Sequence, residues 1–354
     1  SQDPSPAPSA PSSPSADPSA RPARARTASA IPYHQSRPGP EDDIMLATGR
    51  PRGAPESATV RERIEAAKAE QERIRRQPGR KAWVPNQHGA YSMLVLPPVI
   101  GWIVGGFSWV NLLLLPAWWD AYLTYWAWSQ WLRTRSPRRR RLLLLPLLVY
   151  TCSTACLGLI TLLVAPYLLG WAVPLVPLFA VAAWEVWRGR ERSLLSGLAT
   201  TAAASLMSAV TYSLAVGGAG GFLGTGGASG LPGSSPNGAL TGWAWMWVVT
   251  ASTAAYFCGT VPYIKSMIRE RFNRPLLVGT VAAHALVAAA AVWLAAGGCL
   301  GWPHAVVWVA LAVRSLVMPL RQWKLAGERR PMPPRTLGRT EMLFTAAFLI
   351  TIAL

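Results

Sequence analysis

From residue 90 onward, apolar residues run in long stretches, and polar clusters punctuate them. The stretches cover approximately 90–107, 109–132, 142–164, 166–187, 194–216, 240–262, 276–298, 302–320 and 337–354. Each is close to the ~20 residues that an α-helix needs to cross ~30 Å of hydrocarbon. The pattern predicts an all-α fold: a polytopic transmembrane helical bundle of about nine helices.

Charge then orients the bundle. Arg133, Arg135 and Arg138–Arg141 follow the second stretch, Arg188, Arg190 and Arg192 the fourth, Lys265, Arg269, Arg271 and Arg274 the sixth, and Arg321, Lys324, Arg329, Arg330, Arg335 and Arg339 the eighth. The opposite gaps, 105–108, 165, 217–239 and 297–301, carry no Lys or Arg. Basic loops stay in the cytoplasm, so the N-terminus and these four gaps are expected inside and Leu354 at the outer face.

Composition agrees: 51% hydrophobic residues and 18 Trp, despite a polar tail of 81 residues, indicate one membrane bundle rather than two soluble domains. The net charge of +18 is gathered on one face, which fits anionic lipid headgroups and topology; no nucleic-acid partner is expected. Cys152 and Cys156 share a helix face inside an apolar run, with no further ligands in view, so no metal site is expected. Residues 1–58, rich in Pro, Ser, Ala and Arg, are expected to be a disordered tail. No apolar core of a cleavable signal is evident there, so insertion is expected to begin at the first stretch. Residues 59–81 are expected to form a short cytoplasmic helix and linker, with Glu72 and Arg76 at a spacing of four, and 82–354 the bundle. The uncharged, Gly-rich stretch 217–239 has the composition of a flexible linker.

The most distinctive local sequence is Trp83-Val84-Pro85-Asn86-Gln87-His88-Gly89-Ala90-Tyr91. Three side chains that both donate and accept hydrogen bonds stand where the chain enters the membrane, ahead of a glycine that permits close backbone approach. The run PNQHGAYSMLVLPPVIG closely resembles the opening signature of the YwiC-like bacterial membrane proteins. Arg190–Leu195 and Tyr263–Arg271 resemble that family too, so the likeness spans roughly residues 82–354. It implies a multi-pass protein of the bacterial plasma membrane and leaves the reaction open. Helix number and inner loops are also similar to the UbiA-type prenyltransferases, which hold magnesium and diphosphate through aspartate-rich motifs after helices 2 and 6. Here those places read Ser129-Gln130-Trp131-Leu132-Arg133-Thr134-Arg135 and Lys265 to Arg269, with Glu270 the sole acid. No cofactor is expected, and magnesium only if the chemistry is prenyltransferase-like.

Ionisable groups inside hydrocarbon are costly and face the bundle interior or a wet cavity. Asp120 falls near mid-membrane, where the bland reading is a protonated carboxyl bonded to Thr124; His284 reads as a packing histidine, and Arg314 as a side chain snorkelling from the inner end of its helix. Gly197, Thr201, Ser205, Ser208 and Tyr212 form one helical stripe, and Ser252, Tyr256, Thr260 and Tyr263 another. Such stripes ordinarily serve close packing; the sharper alternative is a cavity whose cytoplasmic mouth is rimmed by His88, Arg192, Lys265 and Arg269. Asn86, Gln87, His88, Asp120, Arg192, Tyr256, Tyr263, Lys265 and Arg269 are thus the candidate substrate-binding residues, and no catalytic residue is assigned. A basic rim suits an anionic headgroup, so the leading expectation is binding or processing of an isoprenoid or lipid with an anionic headgroup. The alternatives are a small-anion or proton-coupled transporter, and a non-catalytic assembly subunit of a membrane complex.

Overall fold

A computed structural model describes residues 65, 83, 85, 88–190 and 192–352. The readings of the tail 1–58 and, apart from Glu65, of the helix and linker 59–81 fall outside the described residues, as do Asn86, Gln87 and the side chain of His88. The chain divides after Arg76, and the bundle belongs to the second part, Gln77–Leu354.

Among the described residues there are nine α-helices: α1 (His88–Gly105), α2 (Asn111–Arg133), α3 (Pro137–Val164), α4 (Ala172–Trp187, after a 3₁₀ turn Pro166–Trp171), α5 (Leu194–Ala215), α6 (Gly242–Ile268), α7 (Arg274–Ala296), α8 (Trp302–Gly327) and α9 (Pro334–Ile352). They answer the nine apolar stretches one for one. The ends differ where apolarity stops before helicity does. Helix α3 starts at Pro137, a residue pre-set for the first helical position, and so takes the arginines of 138–141 into its first turn. Helices α6 and α8 run on through Lys265 and through Arg321 and Lys324 to Ile268 and Gly327, because long cationic side chains continue a helix readily.

Among the described residues, five helical segments are long and apolar enough to cross a membrane: Arg139–Val164, Pro166–Trp187, Leu194–Ala215, Arg274–Ala296 and Trp302–Gly327. The chain is a multi-pass helical protein with the surface of a membrane protein. Helix α3 turns Leu142, Leu145, Leu148, Leu159 and Leu163 outward, while α5 and α6 bury Ser205, Ser208, Thr211, Thr250 and Thr253. Where the solvent outside is itself apolar, burying Leu gains nothing, and small or hydroxyl residues go inside because they let helices approach and bond.

The α1–α5 contact shows how close that approach is. A Cβ on Gly101 would lie 1.7 Å from the Ser208 carbonyl oxygen, and one on Gly105 would lie 2.6 Å from Ala215 Cβ. Thr211 Oγ1 donates to the Pro98 carbonyl at 2.8 Å. Pro98 has no N–H to offer Leu94 one turn back, and the indole of Trp118 on α2 donates to that carbonyl instead at 3.0 Å.

The Gly-rich connection between α5 and α6 is folded, contrary to the linker its composition suggests. Tyr212 donates to Pro232 O at 2.7 Å, Trp243 Nε1 to Ala219 O at 2.7 Å and Trp247 Nε1 to Leu223 O at 3.2 Å. Ser234 and Thr241 pair as an antiparallel bridge. The glycines are there for room and for backbone sign: a Cβ at Gly224, where φ is +70°, would lie 2.1 Å from the Trp243 ring.

Candidate functional site

Three polar regions stand out. At the α2–α3 turn, Gln130, Arg133, Thr134, Arg135, Ser136 and Arg139 line an open hollow of about 370 Å³, a size in the range of small-ligand sites. Its walls are set by the helix ends: Arg133 Nε donates to Ser129 O at 3.1 Å and Arg140 Nε to Thr134 O at 2.7 Å. Arg140 also lies 4.9 Å over the Trp131 ring, which meets Trp128 edge-on at 5.9 Å. Arginine, indole and exposed Leu132 and Leu142 together make the amphipathic boundary typical of the headgroup level.

The second region surrounds the entrance to α1. Tyr150 on α3 donates to the Trp83 carbonyl at 2.7 Å, with the two rings edge-to-face at 5.7 Å, and Tyr91 donates to Pro85 O at 3.3 Å. Asp120 is an electrostatic neighbour of Tyr150. Its expected bond to Thr124 does not form; Thr124 is joined to Thr154 across the α2–α3 hairpin at 2.9 Å. Asp120 Oδ2 and the Tyr122 hydroxyl are buried without a hydrogen-bond partner.

The third region lies between α6, α7, α8 and α9. Arg314 does not snorkel: α8 extends to Gly327, so Arg314 is in mid-helix and 4% exposed. Its Nη1 donates to both carboxylate oxygens of Glu341, at 2.9 and 2.8 Å, and its guanidinium carbon sits 4.2 Å over the Tyr263 ring and 4.8 Å over that of Phe344. Tyr256 bonds Thr345 Oγ1 at 2.8 Å, and Thr345 in turn donates to Glu341 O. His284 fulfils the packing reading on its Nδ1 side, 2.8 Å from Thr280 O. Toward the far end of α8, His304 is held by Ser252 and Thr351 at 2.8 and 3.0 Å.

The structure therefore distributes the sequence-derived candidates. Tyr256 and Tyr263 converge on Arg314 and Glu341, a pairing the sequence reading missed. Lys265 is bound to Glu270 at 2.5 Å; that hydrogen bond holds the Glu270 carboxyl below its ordinary range. Much of the positive charge Lys265 would lend to a rim is thus already neutralised. Arg269 caps α6, its N–H on Lys265 O, and Arg192 lies on the α4–α5 connection. The α5 stripe is committed to packing: Ser208 bonds Thr250 at 3.0 Å and Thr201 reaches Met93 Sδ at 3.6 Å. Among the described residues no three His, Cys, Asp or Glu side chains gather as a metal ion would need.

A family model described as "YwiC-like protein" matches residues 84–212, which covers α1, the hollow and most of α5. A relative named "Uncharacterized protein YwiC", from Bacillus subtilis (strain 168), is 28% identical over 274 residues, covering 77% of this chain and 98% of the relative. No solved structure matches. The opening motif, the family match and a likeness running nearly the whole length of that relative agree in making the chain similar to the YwiC-like proteins.

Proposed function

We propose that this membrane protein binds an isoprenoid or lipid through its anionic headgroup at the cytoplasmic face, with the α2–α3 hollow as the headgroup site. The observation that carries the reading is the hollow itself, where Arg135 and Arg139 join Gln130, Thr134 and Ser136. Guanidinium groups match phosphate oxygens in a two-pronged geometry, and the neighbouring hydroxyls and amide supply further donors. The tail of such an amphiphile would continue along the exposed leucines of α3, at the depth where Trp128 and Trp131 sit. The charge balance disfavours a cation, and the arginines at the places of the prenyltransferase aspartates favour direct contact with the headgroup over a magnesium bridge.

Native mass spectrometry of the protein extracted with its lipids tests this. Polyprenyl phosphate or phosphatidylglycerol should be retained by the wild type and reduced at least tenfold in Arg135→Ala/Arg139→Ala. Lys265→Ala, whose side chain is already paired, should change retention little. Equal retention by wild type and the arginine variant overturns the reading, and so does an amphiphile-free protein that instead holds a stable protein partner, which is the outcome expected of an assembly subunit.

A further inference from the structure

The wall of the α2–α3 hollow carries three guanidinium groups, those of Arg133, Arg135 and Arg139, and neither a carboxylate nor an imidazole. The chain has no Asp or Glu between Asp120 and Glu185 to balance them. Arg133 is engaged through Nε with Ser129 O, but among the described residues Arg135 and Arg139 make no hydrogen bond or ion pair. Like charges gathered at the edge of a low-dielectric bilayer repel one another, so a ligand that brings more negative charge relieves more of that repulsion.

The placement of donors points the same way. Gln130 stands in the last turn of α2, Arg135 and Ser136 in the connection, and Arg139 in the first turn of α3. Ser136 precedes α3 without a side-chain cap bond, Pro137 has no N–H, and the N–H groups that open a helix have no partner within it. The Ser136 hydroxyl and the positive end of a 28-residue helix are therefore open to an anion. Thr134, by contrast, commits its hydroxyl to Gln130 O at 2.8 Å. Donors thus reach the hollow from both helix ends and from the connection between them. A phosphate esterified once offers such a surround three free oxygens and nearly two charges; one esterified twice, as in phosphatidylglycerol, offers two oxygens and one charge.

We propose, on the headgroup reading of this hollow, that it selects a terminal phosphate: a phosphomonoester in its doubly charged form, set between Arg135 and Arg139 at the start of α3, in preference to a phosphodiester lipid. Among the described residues, the charged groups on the wall and beside it are all arginines, Arg133, Arg135, Arg139 and Arg140. They keep their charge throughout the range in which a phosphomonoester gains its second, around pH ~6, so a pH dependence there belongs to the ligand.

Phosphatidic acid and phosphatidylglycerol with identical acyl chains separate headgroup from tail. Offered in equal amounts to the full chain and read by native mass spectrometry at about pH 8, the wild type should retain phosphatidic acid at least tenfold over phosphatidylglycerol. The preference should shrink to about twofold at about pH 5, where each headgroup carries a single charge, and should be lost at both pH values in Arg135→Ala/Arg139→Ala. Arg188→Ala, on another inner connection, should leave it unchanged. Equal retention of the two lipids by the wild type, with both lost from the arginine variant, overturns the terminal-phosphate inference and leaves the headgroup reading standing. A preference that survives in the arginine variant overturns the inference as well, and retention of neither lipid overturns both readings. Glycerol 3-phosphate, the same headgroup without tails, should displace phosphatidic acid only in large excess; displacement at equal concentration keeps the terminal phosphate and overturns the lipid.

Discussion

At the residue scale, close approach and charge compensation decide what each position tolerates. Gly101→Leu has nowhere to put its side chain, since even a Cβ would meet the Ser208 carbonyl at 1.7 Å; the cost should reach or exceed the upper end of the ~1–3 kcal/mol usual for overpacking. Gly158 on α3 has nothing within 4 Å, so Gly158→Ala should be neutral or stabilising by up to about 1 kcal/mol. Thermal unfolding in one detergent, read side by side for the two variants, checks the contrast. Arg314→Met alone leaves Glu341 without its cation and should cost about 3–5 kcal/mol, whereas adding Glu341→Leu should recover most of that loss. Equal instability of the single and double variants would show that the pair does not behave as a unit. None of this was legible at the sequence level: Arg314 and Glu341 are on different helices, and where α8 ended decided whether Arg314 reached the headgroups or stayed inside.

At the scale of elements, the α5–α6 connection and the end of α6 carry separate expectations. Gly224→Val would push a side chain into the Trp243 ring, so the connection should open to added protease on its own side of the membrane while wild type resists; limited proteolysis of intact vesicles reads the difference. At the other end of α6 the Lys265–Glu270 pair lowers the carboxyl's range in the folded state. Its stabilisation is therefore complete above the ordinary value of 4.5 and is lost as pH falls through the lower folded value. Because Glu270 is substantially exposed, the pair is worth no more than about 1 kcal/mol. The gap in melting temperature between wild type and Glu270→Gln should be small at pH 7 and shrink further as the solution is acidified below the carboxyl's ordinary 4.5. Composition misled at the α5–α6 connection because a Gly-rich stretch is flexible only when nothing packs on it, and here Trp243 and Trp247 do.

At the scale of the whole molecule, the alternation of basic and uncharged connections is the expectation with the widest reach. Single cysteines at Ser136 and at Ser229, in a background with Cys152, Cys156, Cys258 and Cys299 replaced, should label from opposite sides of the membrane with an impermeant reagent, the first only after the membrane is opened. Labelling of both from one side would undo the orientation and with it the cytoplasmic placement of the hollow. Hydropathy and charge make such a layout readable because they act one segment at a time: a stretch of the right length partitions into lipid, and an arginine cluster resists crossing it, whatever the neighbouring helices do.

That locality marks the boundary between the two levels of description. The sequence by itself determined the number of helices among the described residues of the bundle, their approximate ends and the likeness carried by PNQHGAY, since each depends on residues adjacent in the chain. Only the tertiary structure decided that the small-residue stripe of α5 is a packing face, that Lys265 is already paired, that Asp120 keeps an unmet oxygen, and that Arg314 meets Glu341 beneath Tyr263. In lipid, burying apolar area no longer tells the inside from the outside. Which polar groups find partners is then settled by geometry between distant segments, and that geometry exists only once the bundle has formed.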